Sequence, residues 1–180
     1  MNLFPIIPSK LKKYDTIGVV APSNPIIGEN IEELEKAKKM LERDGYKVVF
    51  SKNIFSNANE YSATAKEKAD DINEMFANKD IDMIWCAKGG ENSNSVFDYL
   101  DFEIIKNNPK IIAGFSDITS IINVIAKKTW LVTFSATNFK TIATDETDYS
   151  YKQAIARFSG ENATFDVAKK DCYKTIKEGT

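Results

Sequence analysis

The chain has 180 residues, of which 43% are hydrophobic and 11% aromatic, a globular composition with enough apolar side chain for one core. Its 24 basic and 26 acidic residues leave a net charge of -2, which excludes a broad basic surface, so neither nucleic acid nor membrane is expected as a partner. Pro5 and Pro8 interrupt the N-terminal stretch where a secretory signal would need an apolar core, and no window approaches the roughly 20 apolar residues that span a bilayer. A cytoplasmic location is the resulting expectation.

Thr16-Ile-Gly-Val-Val-Ala21 is a short apolar run closed by Pro22-Ser-Asn-Pro25, the pattern of a strand buried on both faces followed by a turn. From Glu29 to Asp44, Ile31, Leu34, Ala37, Met40 and Leu41 recur at spacings of three and four, and Gly45 follows as a stop, so the stretch predicts an amphipathic helix. Tyr46 to Ser51 predicts a second strand, and Ala65 to Asn78 a second helix through Ala69, Ile72, Met75 and Phe76. Met83 to Ala87 predicts the third strand, with a loop at 89–94 and a helix from about Ser95. Lys110 to Gly114 predicts the fourth, with a helix from Ile118, and Leu131 to Phe134 the fifth. After Thr144 the chain turns polar, with one helix expected at Tyr149 to Phe158 and a charge-rich run to Thr180.

Strands alternating with helices imply right-handed crossovers and an α/β fold: a parallel sheet of about five strands with helices on both faces. Ligands of such sheets sit at the strand carboxyl ends. Here those ends carry Ala21-Pro-Ser-Asn, Lys88-Gly-Gly-Glu-Asn-Ser-Asn, Phe115-Ser-Asp and Ser135-Ala-Thr-Asn, all small or polar and suited to lining a cleft.

Within that cleft, Gly114-Phe-Ser-Asp117 places Ser116 between an apolar strand and an apolar helix, where a tight turn would expose a nucleophile. Position 118 is Ile rather than the second Gly of G-x-S-x-G, and a plain helix N-cap is the competing reading of Ser116. Gly89-Gly90 can turn backbone N–H groups into the cleft, so Gly90 and the Asp117 amide form a candidate oxyanion pair, with an ordinary turn as the alternative. Neither phosphate-loop pattern occurs. Asn92 and Asn94 are candidate substrate contacts or simple turn residues. Asp70 and Asp71 read as a solvated helix face and Asp145, Glu146 and Asp148 as a solvated loop. Trp85 and Trp130 read as packing residues. Cys86 and Cys172 lack a C-x-x-C partner, so inert thiols are expected and no metal site.

The strings Gly18-Val-Val-Ala-Pro-Ser23, Lys88-Gly-Gly-Glu-Asn-Ser-Asn94, Tyr99-Leu-Asp101, Asn108-Pro-Lys110 and Gly114-Phe-Ser-Asp-Ile-Thr119 resemble, in order, successive blocks of the LD-carboxypeptidase family over residues 10–143. The Gly-Gly-x-Asn-Ser-Asn form, with Leu131-Val-Thr-Phe-Ser135, is closer to the microcin C immunity branch than to the peptidoglycan-recycling one. The resemblance implies a serine peptidase with Ser116 as nucleophile, the Gly90 and Asp117 amides as oxyanion donors, Gly89, Asn92 and Asn94 toward the substrate, and no cofactor. The implied substrate is a small peptide or peptide-nucleotide. A non-catalytic peptide- or nucleotide-binding domain and a peptidoglycan-recycling carboxypeptidase are the alternatives, and a homodimer stays open.

In this family the activating glutamate and histidine come from a second, C-terminal domain. The chain contains no histidine, so the resemblance casts residues 1–144 as the nucleophile-bearing domain and 145–180 as a helix and the start of a linker to a catalytic domain missing here. One block departs from the family: Ala136-Thr-Asn138 stands where Gly-Pro is usual, which alters the cleft wall.

Overall fold

The computed structural model describes residues 4–57, 62–144 and 149–161. Its strands are β1 (Thr16–Val20), β2 (Lys47–Phe50), β3 (Met83–Cys86), β4 (Ile111–Gly114) and β5 (Phe134–Ser135). They pair in parallel in the order β2-β1-β3-β4-β5. The helices are α1 (Glu29–Arg43), α2 (Ala65–Ala77), α3 (Phe102–Asn107), α4 (Ile118–Thr129) and α5 (Tyr149–Phe158).

Period-two alternation in the strands divides the core between the two faces of the sheet. Ile17 and Val19 of β1, Met83 and Trp85 of β3, and Ile111 and Ala113 of β4 pack with Leu34, Ala37 and Leu41 of α1 and with Tyr151, Ala154 and Phe158 of α5. Val20, Ile84, Cys86 and Ile112 face the other way, onto Ile72 and Phe76 of α2, Ile105 of α3 and Ile121 and Ile125 of α4. The five-stranded α/β sheet with helices on both faces is therefore the architecture the sequence implies. Trp85 lies in the core, its ring edge-on to Phe139 at 5.7 Å and to Phe158 at 5.1 Å. The contact to Phe158 builds α5 into the same core. Trp130 is instead half-exposed, closing α4 in a left-handed conformation with φ 65°.

The structure corrects three local expectations. Leu131 does not start β5: Ile6 bridges to it, and the N-terminal segment takes the hydrogen bonds of Trp130 O and Val132 N, so the pairing with β4 begins only at Phe134. The helix expected from Ser95 is a 3-10 turn at Ser93–Tyr99, and a separate α3 starts after Asp101, whose carboxylate caps the amides of Glu103 and Ile104. Asp71 is not on a solvated face. It is buried and accepts from Asn53 N and Nδ2, which ties α2 to the loop after β2. The expected loop residues Asp145, Glu146 and Asp148, the linker at 162–180 and Cys172 lie outside the described residues. Cys86 is buried, and burial pushes its thiol up to about 12, so it is a poor nucleophile at neutral pH. Among the described residues no helix is long and apolar enough to cross a membrane.

Candidate functional site

Three loops at the carboxyl ends of adjacent strands β1, β3 and β4 meet at one edge of the sheet: Pro22–Asn24, Gly89–Ser93 and Phe115–Asp117. Ser116 occupies the three-residue connection between β4 and α4 with φ 64°, a left-handed conformation that a serine adopts only where its surroundings enforce it. The side chain is exposed, and its Oγ accepts from neither the Ile118 nor the Thr119 amide among the described residues; the Thr119 amide donates to Ser116 O instead. The first helix cap is Asp117, also without a side-chain cap bond, so the N-cap reading of Ser116 finds no contact to support it.

Gly89 and Gly90 approach this serine from β3. A Cβ on Gly89 would stand 3.3 Å from Ser116 Oγ, so the serine hydroxyl faces the Gly89 backbone. A Cβ on Gly90 would stand 2.2 Å from the Asn24 side chain and 2.5 Å from Ser23 Oγ. At Gly90 only glycine fits, whereas a methyl group at Gly89 would crowd Ser116 by a few tenths of an ångström. The Gly90 and Asp117 N–H groups donate to no acceptor among the described residues, which leaves two backbone donors beside Ser116.

The Asp117 side chain serves a different end from its amide. Its Oδ2 accepts from Ser23 Oγ at 2.5 Å and from Ser93 N at 2.8 Å, and Ser93 Oγ donates to Asp117 O at 2.8 Å. One carboxylate thus ties the three loops together. Burial works against its charge, but the Ser23 hydroxyl and the Ser93 donors outweigh that, and the acid stays below the usual carboxylate range. Asn138, buried at the end of β5, accepts from Phe115 N at 3.0 Å and so fixes the peptide just before Ser116. Its position falls within the departing Ala136-Thr-Asn138 block.

Asn92 lies inside the network, where its Oδ1 accepts from Lys68 Nζ at 2.6 Å and its Nδ2 lies 3.4 Å from Asn24 Oδ1. Asn94 sits exposed in the 3-10 turn. Lys68, Ser23, Asn24 and Ser93 were not among the site residues read from the sequence. Lys68 carried a signal, because it stands in the apolar stripe of α2, one turn before Ile72, where a solvated lysine does not belong. On the other side of Phe115, a groove of about 440 Å³ is lined by Phe115, Ser135, Ala136, Thr137, Thr141 and Ser150. No cluster of metal-ligating side chains occurs among the described residues.

A family model described as the LD-carboxypeptidase N-terminal domain matches residues 17–136. The Bacillus subtilis protein YocD is 40% identical over 136 residues, covering 75% of this chain and 42% of YocD. The microcin C7 self-immunity protein MccF of Escherichia coli is 38% identical over 130 residues, covering 72% of this chain and 38% of MccF. A solved structure of MccF in complex with aspartyl sulfamoyl adenosine superposes with a TM-score of 0.83 at 33% identity, covering 88% of this chain and 48% of that one. The chain thus spans less than half the length of these relatives.

Proposed function

This chain belongs to the LD-carboxypeptidase family through its N-terminal domain, and we propose that Ser116 is the nucleophile of a serine peptidase whose remaining catalytic groups lie outside these 180 residues. The observation that carries the reading is Ser116 itself: exposed, at φ 64°, facing Gly89, with two unengaged backbone donors beside it. In the proposed reaction Ser116 Oγ attacks the substrate carbonyl carbon while its proton passes to a general base, a histidine of the second domain. The carbonyl oxygen becomes an oxyanion held by the Gly90 and Asp117 amides. Collapse expels the amine, which takes the proton, and water then hydrolyses the acyl-enzyme by the same steps.

The substrate we propose is a small peptide or peptide-nucleotide carrying an acidic aminoacyl group. The likeness to MccF, solved with aspartyl sulfamoyl adenosine and with glutamyl sulfamoyl guanosine, supports that choice. Gly89, Asn92 and Asn94 are the substrate contacts in this reading, and the groove beside Phe115 offers room for the rest of the ligand.

The test is hydrolysis of aspartyl sulfamoyl adenosine and of a murein tetrapeptide by the complete protein that carries this domain. Ser116→Ala should lower kcat by about 10⁴-fold or more, because catalytic groups act as a unit. Turnover that survives Ser116→Ala would remove the nucleophile assignment. Tight binding without turnover in the wild type would favour a binding module, and preference for the tetrapeptide would move the substrate to peptidoglycan.

A further inference from the structure

A charged lysine in the apolar stripe of a helix is costly, and such a group is retained where it holds something. Lys68 is 3% exposed on α2, among Ala69, Ile72, Met75 and Phe76. Its ammonium points away from solvent into the 89–94 loop, where its described acceptor is Asn92 Oδ1 at 2.6 Å. Burial draws the lysine below its ordinary range, while the charge of Asp117 acts to keep it ionised.

The direction of that hydrogen bond has a consequence for Gly90. An asparagine amide offers one acceptor and one donor group on opposite sides, so a lysine that claims Oδ1 turns Nδ2 the other way. Here Nδ2 faces Asn24 Oδ1, at 3.4 Å, which also receives the Glu91 amide at 3.2 Å. The Asn24 side chain is the surface against which Gly90 is pressed. Lys68 therefore stands at the head of a relay: ammonium, Asn92 amide, Asn24 amide, Gly90–Glu91 peptide.

We propose that Lys68 is a positioning residue of the acyl-transfer reaction, fixing through Asn92 and Asn24 the Gly90–Glu91 peptide and so the orientation of the adjoining peptide that carries the Gly90 oxyanion donor. The proposal rests on the serine-peptidase reading. It deepens that reading by assigning a role to a residue 48 positions from the nucleophile in sequence. Lys68 touches neither substrate nor reacting atoms in this scheme, and its contribution is to the geometry of a donor that must lie close to its ideal position.

The experiment uses the complete protein with Lys68→Met, Lys68→Arg and, as a control on the same helix, Asp71→Asn, which disturbs a buried contact made to Asn53 and not to the 89–94 loop. Lys68→Met should lower kcat by about 10²-fold, the loss expected when a reacting group is misplaced by about 1 Å, with KM moving much less. Lys68→Arg, which keeps the donor, should recover most of that kcat. Asp71→Asn should lower the melting temperature while leaving kcat near the wild-type value. A second readout needs no activity: Lys68→Met should speed amide exchange at Glu91 and Ser93 by about tenfold, the equivalent of one lost charge-assisted hydrogen bond.

Wild-type kcat in Lys68→Met, or a fall that Asp71→Asn reproduces, overturns the proposal. If the wild type hydrolyses nothing, the serine-peptidase reading fails by itself, and exchange then decides the relay. Unchanged exchange at Glu91 and Ser93 in Lys68→Met would dismiss it.

Discussion

Gly90 has no room for a methyl group, since a Cβ would lie 2.2 Å from Asn24 and 2.5 Å from Ser23 Oγ. Gly90→Ala must therefore push the loop off the Asn24 side chain. In the complete protein we expect kcat to fall by about 10²-fold, with a stability cost of about 1–3 kcal/mol from overpacking. Kinetics and denaturant unfolding on the one variant test both, and unchanged kcat would show that Gly90 donates nothing to the reaction. Asp117 carries a separate expectation, about stability. Its folded value lies below the unfolded one, so its contribution is present above the unfolded carboxylate range of about 3.9 and is lost as pH falls through the folded value. Asp117→Asn should cost about 2 kcal/mol at pH 7, the scale of hydrogen bonds to a charged group. The gap to wild type should close on acidification. A gap of constant size from pH 7 to the acid limb would mean the carboxylate charge is not what ties Ser23 and Ser93 together.

Elements repeat the division between what sequence shows and what packing adds. The α1 and α2 periods and the buried runs of β1, β3 and β4 were legible because burial on a fixed face leaves a period of 3.6 or a continuous apolar string. Leu131–Phe134 misled because its apolar run is equally suited to pairing with Ile6, a residue more than a hundred positions away. The placement of Ser116, Gly89, Gly90 and Asp117 at the strand ends was legible from strand-turn-helix order, while their proposed roles came from the family resemblance. Ser23, Asn24 and Ser93 were not, because a hydroxyl or amide that bridges loops leaves no periodic mark, and Asp71 and Lys68 were charges hidden on a helix face read as solvated or apolar. Lys110 is another such charge: buried at the start of β4, it donates to Met75 O and Asn78 O at the C-terminal end of α2, where a cation suits the helix dipole. Burial, then the nearby Lys79, draws it down to about 8, with Asp82 opposing. Between that value and the unfolded 10.5 the unfolded chain holds a proton the fold releases, so this group makes stability rise with pH across that window. Wild type should therefore gain about 1–3 kcal/mol on Lys110→Met between pH 7.5 and pH 10. Unfolding in denaturant at the two pH values measures it, and a flat difference would place Lys110 in water.

At the scale of the whole molecule, the order β2-β1-β3-β4-β5 puts the reversal of strand order between β1 and β3, where ligands of such parallel sheets sit outside the carboxyl ends. The loops of β1, β3 and β4 fill that edge with donors and an exposed serine, yet neither Asp117 nor Lys68, the ionisable groups bound into this network, is fit to take the serine proton. The Asp117 carboxylate already accepts from Ser23 and Ser93 and is a weaker base than an ordinary carboxylate. Lys68 is occupied as a donor to Asn92, and the chain has no histidine. A general base works best with a pKa near the operating pH and within hydrogen-bond reach of the proton, and neither Asp117 nor Lys68 meets both conditions. The 180-residue chain by itself should then unfold cooperatively, as its shared core requires, while hydrolysing aspartyl sulfamoyl adenosine at least about 10⁴-fold more slowly than the complete protein. Side-by-side assays at equal concentration, with unfolding curves confirming that both samples are folded, give the comparison. Saturable turnover by the chain alone, abolished in Ser116→Ala, would mean that a base does reside within these residues, and Lys88, adjoining Gly89 at the end of β3, would be the first to replace.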